Sequence, residues 1–169
     1  RERFICAHGI MLALEGIPAL YIHSLLGTEN DYQKVEHTGR TRSINRHVWH
    51  SENLERELAD KNSHHSMVFS ELKRLLSIRK KQPAFHPNAT QFTLHLGFEV
   101  FAFWRQSINR SQSIFSLSNV TSVKQVINLA DINLINTDHW IDLITEKHYD
   151  SLDGQLVLAP YQTVWISNR

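Results

Sequence analysis

Hydrophobic positions in the first half of the chain recur every three or four residues, which predicts helices. The apolar side chains of residues 1–15 share one stripe, so a helix is predicted there, with Gly16 as a left-handed C-cap. The same spacing predicts a helix over 66–81. A shorter helix is predicted over 52–59, with Ser51 as its N-cap.

Between the first two helices, the segment Ile17 to Ile22 is apolar at nearly every position. Such a short run, bounded by turn residues, predicts a strand buried on both faces, as in a parallel sheet. A helix, a turn and a buried strand make half of an α/β unit. A polar loop of about 27 residues follows, and ordered loops of that length are usually functional.

Three arginines, Arg40, Arg42 and Arg46, lie within seven residues of this loop, with no acidic residue among them. A guanidinium pairs well with anions, sugar hydroxyls and carboxylates. The cluster therefore indicates either a bound anion or sugar, carboxylates elsewhere in the protein, or a solvated basic loop.

After Pro87 the pattern changes to short alternating segments separated by turn residues, which predicts an antiparallel sandwich or barrel. Tryptophans in these segments are predicted to pack in the core rather than to form a sugar-binding platform; they are Trp104, Trp140 and Trp165. The predicted strands cover residues 91–96, 100–104, 113–117, 123–127, 138–144, 155–159 and 163–166.

Composition argues against two classes of protein, those that bind nucleic acid and those that span a membrane. The net charge of +1 in 169 residues argues against nucleic acid as the main partner, and no apolar run is long enough for a membrane span. The single cysteine, Cys6, excludes an internal disulfide and fits a reducing, cytoplasmic setting. Because the chain opens at Arg1, within a helical pattern and without a methionine, we expect it to be a piece of a longer protein.

Histidine is the other candidate for site chemistry. His23 follows the predicted strand, where polar residues of α/β folds commonly face the ligand, so it is either a substrate contact or a structural histidine that holds the loop. The spacing of the nearby histidines matches no metal-binding template, and we predict no metal site.

One set of motifs carries a family resemblance. The stretch GIPALYIHSLLGTEND…TGRTRSINRHVW…LLSIRKKQPAFHP resembles the sucrose phosphorylase group of the alpha-amylase family, glycoside hydrolase family thirteen, over most of residues 1–89. The patterns from Arg42 to Arg46 and from Arg79 to Phe85 point to the phosphorylase branch. The runs at 23–27 and 39–42 resemble relatives acting on sucrose 6-phosphate, glucosylglycerate or glucosylglycerol.

The resemblance implies the last part of a (β/α)8 barrel over residues 1–87, followed by an antiparallel β-sandwich domain over 88–169, where only the domain type matches. It also implies retaining double displacement, with an aspartate nucleophile, a glutamate acid/base and inorganic phosphate as co-substrate. Those carboxylates would precede Arg1, so no catalytic residue and no cofactor are expected in this chain. Alone, it is expected to be inactive.

By the same resemblance, Arg42 would contact the glucosyl ring. Arg40 would suit an anionic acceptor, unless Arg40, Arg42 and Arg46 only pin the loop to the barrel. Two other functions remain open: a self-standing carbohydrate-binding or assembly module, and part of an amylase-like hydrolase. An isolated barrel end would leave the strand at 17–22 unpaired, so we expect the chain to self-associate or to stay bound to the missing part.

Overall fold

A computed structural model describes residues 1–132, 139–149 and 154–168. Helices in these ranges are α1 (Glu2–Ala13), α2 (Ile22–Leu25), α3 (Tyr32–Thr38), α4 (Ser51–Ala59) and α5 (His64–Arg79). Short 3-10 helices cover Thr41–Asn45, Pro83–Phe85 and Leu129–Ile132. Strands are β1 (Thr90–His95), β2 (Val100–Gln106), β3 (Ser113–Asn119), β4 (Gln125–Asn128), β5 (Trp140–Asp142), β6 (His148–Tyr149), β7 (Gln155–Leu158) and β8 (Thr163–Asn168).

The strands form two antiparallel sheets. The larger has the order β1-β2-β3-β8-β5-β6, and the smaller pairs β4 with β7. Apolar side chains of both sheets form one buried core, among them Phe115, Leu117, Ile127, Leu156, Leu158 and Ile166. The prediction of an antiparallel sandwich is therefore confirmed, because alternation placed one face of each strand in this core.

The described chain divides into two compact units. One contains residues 1–18 and 75–169, and thus α1, the end of α5 and all the strands. The other contains residues 19–74. The boundary predicted near residue 87 concerns the complete barrel and stays a prediction.

Within the first unit, α1 packs on the larger sheet. The Gly9 backbone lies so close to β8 that an added Cβ would be 3.3 Å from Thr163. The buried thiol of Cys6 lies 3.6 Å from the carbonyl oxygen of Asn119 and 3.6 Å from the Thr163 hydroxyl. The cysteine therefore packs between helix and sheet, as an inert core residue would.

Two buried arginines reinforce the same unit. Arg105, with no exposed surface, donates to the carbonyls of Ala13, His86 and Ala89. Arg79, at the end of α5, donates to the carbonyls of Phe85 and Gly16. Main-chain carbonyls at helix ends and in the connecting segments are satisfied in this way.

The segment predicted as a buried strand is not a strand. Residues 17–21 have no regular secondary structure, and Ile22 begins α2. Ile17 is 84% exposed and Ile22 54% exposed. A strand of a parallel sheet needs a neighbouring strand to complete its backbone hydrogen bonds. No strand in the described ranges pairs with this segment.

Other boundaries differ in smaller ways. The helix predicted to reach residue 15 ends at Ala13, because Leu14 is extended. Gly16 has a positive φ of 89° but lies beyond the helix end. Ser51 is the first residue of α4 rather than its N-cap; His50 occupies that position without a side-chain cap. The helix predicted over 66–81 is α5, two residues earlier.

Where the chain is described, most predicted strand ends lie within two residues of the observed ones, with two further differences. The strand predicted over 138–144 is confined to β5, and Asp138 lies outside the described residues. The two-residue strand β6 was not predicted, being too short to show alternation. Trp140 and Trp165 are buried and Trp104 packs partly against the core, so the prediction that these tryptophans are core residues is confirmed.

Candidate functional site

The arginine-bearing segment is ordered from its N-terminal side by α3, which sequence reasoning missed within the predicted loop. The Asp31 carboxylate accepts a hydrogen bond of 2.9 Å from the Lys34 amide and so caps the helix. This bond, followed by the hydrogen bond to His47, holds the pKa of Asp31 below its ordinary value. The signal that could have revealed the helix is the aspartate N-cap followed by Gly39 at the other end.

Gly39 ends α3 in the left-handed conformation, with a φ of 64° and its amide bonded to the Val35 carbonyl at 2.8 Å. A Cβ at Gly39 would meet nothing within 4 Å. Glycine is thus required here for backbone conformation rather than for space. The turn it makes leads directly into Arg40 and the 3-10 helix Thr41–Asn45.

Several hydrogen bonds tie this 3-10 helix to α3 and its neighbours. The Thr38 and Ser43 hydroxyls are 3.0 Å apart, and the Thr38 hydroxyl donates to the Lys34 carbonyl at 2.6 Å. The Asp31 amide donates to Ile44 at 2.7 Å. Further along, the Tyr21 hydroxyl donates to Asn45 at 3.0 Å, and the Lys34 ammonium donates to Arg46. The arginine-bearing segment is therefore held in a defined conformation, and we call it the arginine platform.

The three guanidinium groups are exposed on this platform. Arg40, Arg42 and Arg46 line an open depression of about 410 Å³. Arg42 and Arg46 also line a second, of about 490 Å³, together with Tyr21. Within the described ranges, none of the three forms an ion pair with an acidic side chain. The surface is therefore suited to an anion or to several hydroxyl groups.

His23 lies in α2, not at the end of a strand. Its Nδ1 is 3.2 Å from the Thr28 hydroxyl, and its ring lies edge-on to that of Tyr21 at 5.1 Å. Tyr21 in turn lines the second depression with Arg42. Tyr21 therefore contacts His23 on one side and lines the same depression as Arg42 on the other. Sequence reasoning did not identify Tyr21, because it placed this residue in a buried strand.

Trp49 was also missed as part of this region. Its indole Nε1 donates to the Thr28 hydroxyl at 3.0 Å, and its ring is flanked edge-on by His47 and His65, each 4.9 Å away. The sequence shows Trp49 and His23 but not that both converge on the Thr28 hydroxyl.

Two further findings concern what the site could hold. In the part of the chain that the structure describes, no group of three or more His, Cys, Asp and Glu side chains could bind a metal ion. None of the helices in that part combines the length and the apolar character that a membrane span requires.

Solved structures identify the fold. The chain superposes over 98% of its length on an AmyP variant in complex with maltotriose, with a TM-score of 0.78 and 19% identity, covering 34% of that chain. It matches the acarbose complex of an alpha-amylase from Geobacillus thermoleovorans with a TM-score of 0.75 and 15% identity, over 99% of this chain and 33% of that one. The fold is that of the C-terminal region of alpha-amylase-like enzymes.

The sequence relatives belong to a narrower group of enzymes than the structural neighbours. The chain is 38% identical over 165 residues to the glucosylglycerate phosphorylase of Escherichia coli K12, which covers 97% of this chain and 28% of that enzyme. It is 39% identical over 174 residues to the Spirochaeta thermophila glucosylglycerate phosphorylase, covering 98% of this chain and 30% of that one. The glucosylglycerol phosphorylase of Marinobacter adhaerens matches at 32% over 84 residues, 50% of this chain and 16% of that enzyme. No protein-family model matches.

The chain is thus related to the sucrose phosphorylase-like branch of the alpha-amylase family, as the sequence motifs predicted. It spans less than a third of the length of the glucosylglycerate phosphorylases that it matches.

Proposed function

We propose that this chain forms the C-terminal part of a retaining α-glucosyl phosphorylase that acts on a glucosylglycerate-like substrate. The observation that carries the proposal is the 38% identity to a glucosylglycerate phosphorylase along nearly the whole chain. The guanidinium groups of Arg40 and Arg42, which form no ion pair within the described ranges, support it, because glycerate brings a carboxylate and glucose brings hydroxyls.

The division of labour follows from the retaining mechanism. Paired carboxylates about 5 Å apart would form and resolve the glucosyl-enzyme, and we propose that they lie in the part of the relatives that this chain does not span. Arg42 would donate to the bound glucosyl ring, and Arg40 would pair with the carboxylate of the acceptor. His23 would contact the substrate beside Tyr21.

The experiment is an assay of the complete protein with α-glucosylglycerate, with and without inorganic phosphate. We expect glucose 1-phosphate of retained α configuration and free glycerate, formed only when phosphate is present. Release of free glucose at the same rate without phosphate would show that water is the acceptor, as in a hydrolase.

The module hypothesis required exposed tryptophans on the β-domain. Trp140 and Trp165 are buried instead. We therefore assign the β-sandwich to support of the barrel end rather than to independent sugar binding.

We also infer that the segment Ile17 to Ile22, which the sequence predicted as a buried strand, is covered in the working protein. Ile17, Tyr21 and Ile22 are exposed apolar side chains, and removing them from water would be favourable. The cover would be the rest of the barrel or, for this chain alone, a second copy. Light scattering of the isolated chain tests this inference: a monomer at all concentrations would contradict self-association.

A further inference from the structure

Three side chains of the second compact unit form a continuous hydrogen-bonded series. The Trp49 indole Nε1 lies 3.0 Å from the Thr28 hydroxyl oxygen, and the same oxygen lies 3.2 Å from Nδ1 of His23. The Thr28 amide also donates to the His23 carbonyl at 2.8 Å, so main chain and side chain both close this turn.

The chemistry of the groups sets the direction of the bond between Trp49 and Thr28. An indole nitrogen can only donate, so the Thr28 oxygen accepts from Trp49. The hydroxyl retains a single proton, and among the described residues Nδ1 of His23 is the hydrogen-bonding partner left to receive it. We propose that Trp49 and Thr28 fix neutral His23 as the tautomer that carries its proton on Nε2.

Trp49 is itself packed between two histidine rings. His65 and His47 flank the indole edge-on, each at 4.9 Å. Nδ1 of His65 donates to the Leu26 carbonyl at 2.8 Å, and His47 lies 3.4 Å from the Asp31 carboxylate that caps α3. Both flanking rings are therefore anchored to backbone or to a helix cap.

The consequence concerns specificity and rests on the proposed function. With Nδ1 occupied by Thr28, His23 presents Nε2–H as a donor to a hydroxyl or carboxylate oxygen. The His23 ring lies against Tyr21, which lines the depression that contains Arg42. Thr28 and Trp49 are thus positioning residues for a substrate-contacting histidine, and neither is expected to touch the substrate.

The direct test reads the tautomer. The complete protein would be labelled with 15N-histidine, and the two ring nitrogens of His23 would be assigned by comparison with His23→Gln. In the wild type we expect a protonated Nε2 and an unprotonated Nδ1. Thr28→Ser keeps the hydroxyl and should preserve this state, whereas Thr28→Val should admit a fraction of the Nδ1-protonated tautomer and Trp49→Phe a smaller fraction. A protonated Nδ1 in the neutral wild type, or no change in Thr28→Val, overturns the proposal.

Kinetic measurements on the same variants test the positioning role separately from the proposed function. Thr28→Val should lower kcat/KM for glucosylglycerate about fivefold to tenfold, mainly through KM. Thr28→Ser, which keeps the hydroxyl, should retain most of the wild-type kcat/KM. The expected tautomer with unchanged kinetics would overturn the positioning role. The expected tautomer in a protein without phosphorylase activity would contradict the proposed function and leave the assignment of the proton standing.

Discussion

The guanidinium of Arg105, fully buried in β2, donates a hydrogen bond of 2.8 Å to the carbonyl of Ala13, 92 residues earlier in the chain. Ala13 is the last residue of α1, whose end therefore depends on a side chain of the sheet. Burial, and then the charge of Arg79, lowers the pKa of Arg105 to about 10. The side chain is still cationic at neutral pH, and carbonyl oxygens surround it.

Arg105→Lys should therefore destabilise the first compact unit. An ammonium group cannot reach all three carbonyls that the planar guanidinium serves, so some are left buried without a partner. We expect a loss of about 2–4 kcal/mol in the free energy of unfolding by urea denaturation. The matched control is Arg110→Lys, an exposed position, which should change stability by less than about 0.5 kcal/mol. Equal effects at the two positions would contradict this role.

Gly39→Ala should strain the turn that presents Arg40. The φ of 64° is unfavourable for a residue with a Cβ, although there is space for one. We expect a cost of about 1–2 kcal/mol, visible as faster amide exchange in α3. Gly39→Asn should cost less, because asparagine tolerates the left-handed conformation. If alanine and asparagine behave alike, the conformation of this turn is not what glycine provides.

The cap of α3 should respond to pH through Asp31. Its pKa in the folded state is lowered, so the unfolded chain binds more protons between the two pKa values. The stabilisation is fully present above the unfolded pKa and is lost as pH falls through the folded one. Amide exchange over residues 32–38, corrected for the intrinsic pH dependence, should therefore rise towards low pH. Asp31→Asn keeps a capping oxygen without the titration and should abolish this dependence.

Arg40→Ala in the complete protein should discriminate between acceptors. Removing the guanidinium should reduce kcat/KM by about tenfold for an anionic acceptor such as glycerate, and by less than about twofold for neutral glycerol. The measurement is glucosyl transfer from glucose 1-phosphate to each acceptor, with Arg110→Ala as a control for loss of an exposed charge. Equal losses on both acceptors would assign Arg40 to the loop rather than to the ligand.

Cys6 should be unreactive in the folded protein. Burial raises the pKa of its thiol, which reduces the thiolate that an alkylating agent attacks. We expect alkylation by iodoacetamide to be slower by about a hundredfold or more than in denaturant, because the thiol reacts only after opening. Comparable rates in the two conditions would show that α1 does not stay packed on the sheet.

The sequence by itself determined the elements whose signal is local. Helical spacing located α1 and α5 to within two residues at most boundaries, and alternation located most strands, because burial on one face leaves a period in the chain. The motif around Arg42 to Arg46 carried the family resemblance, since it depends on residue identity rather than on contacts.

Only the tertiary structure decided the features that depend on partners distant in sequence. The segment Ile17 to Ile22 has the composition of a buried strand, but a strand exists only where a neighbour completes its hydrogen bonds, and the described chain supplies none. The convergence of Trp49 and His23 on Thr28 has no period or motif either. It arises because folding brings Trp49 into contact with a hydroxyl group that lies 21 residues earlier in the chain. Such a contact leaves no trace in composition.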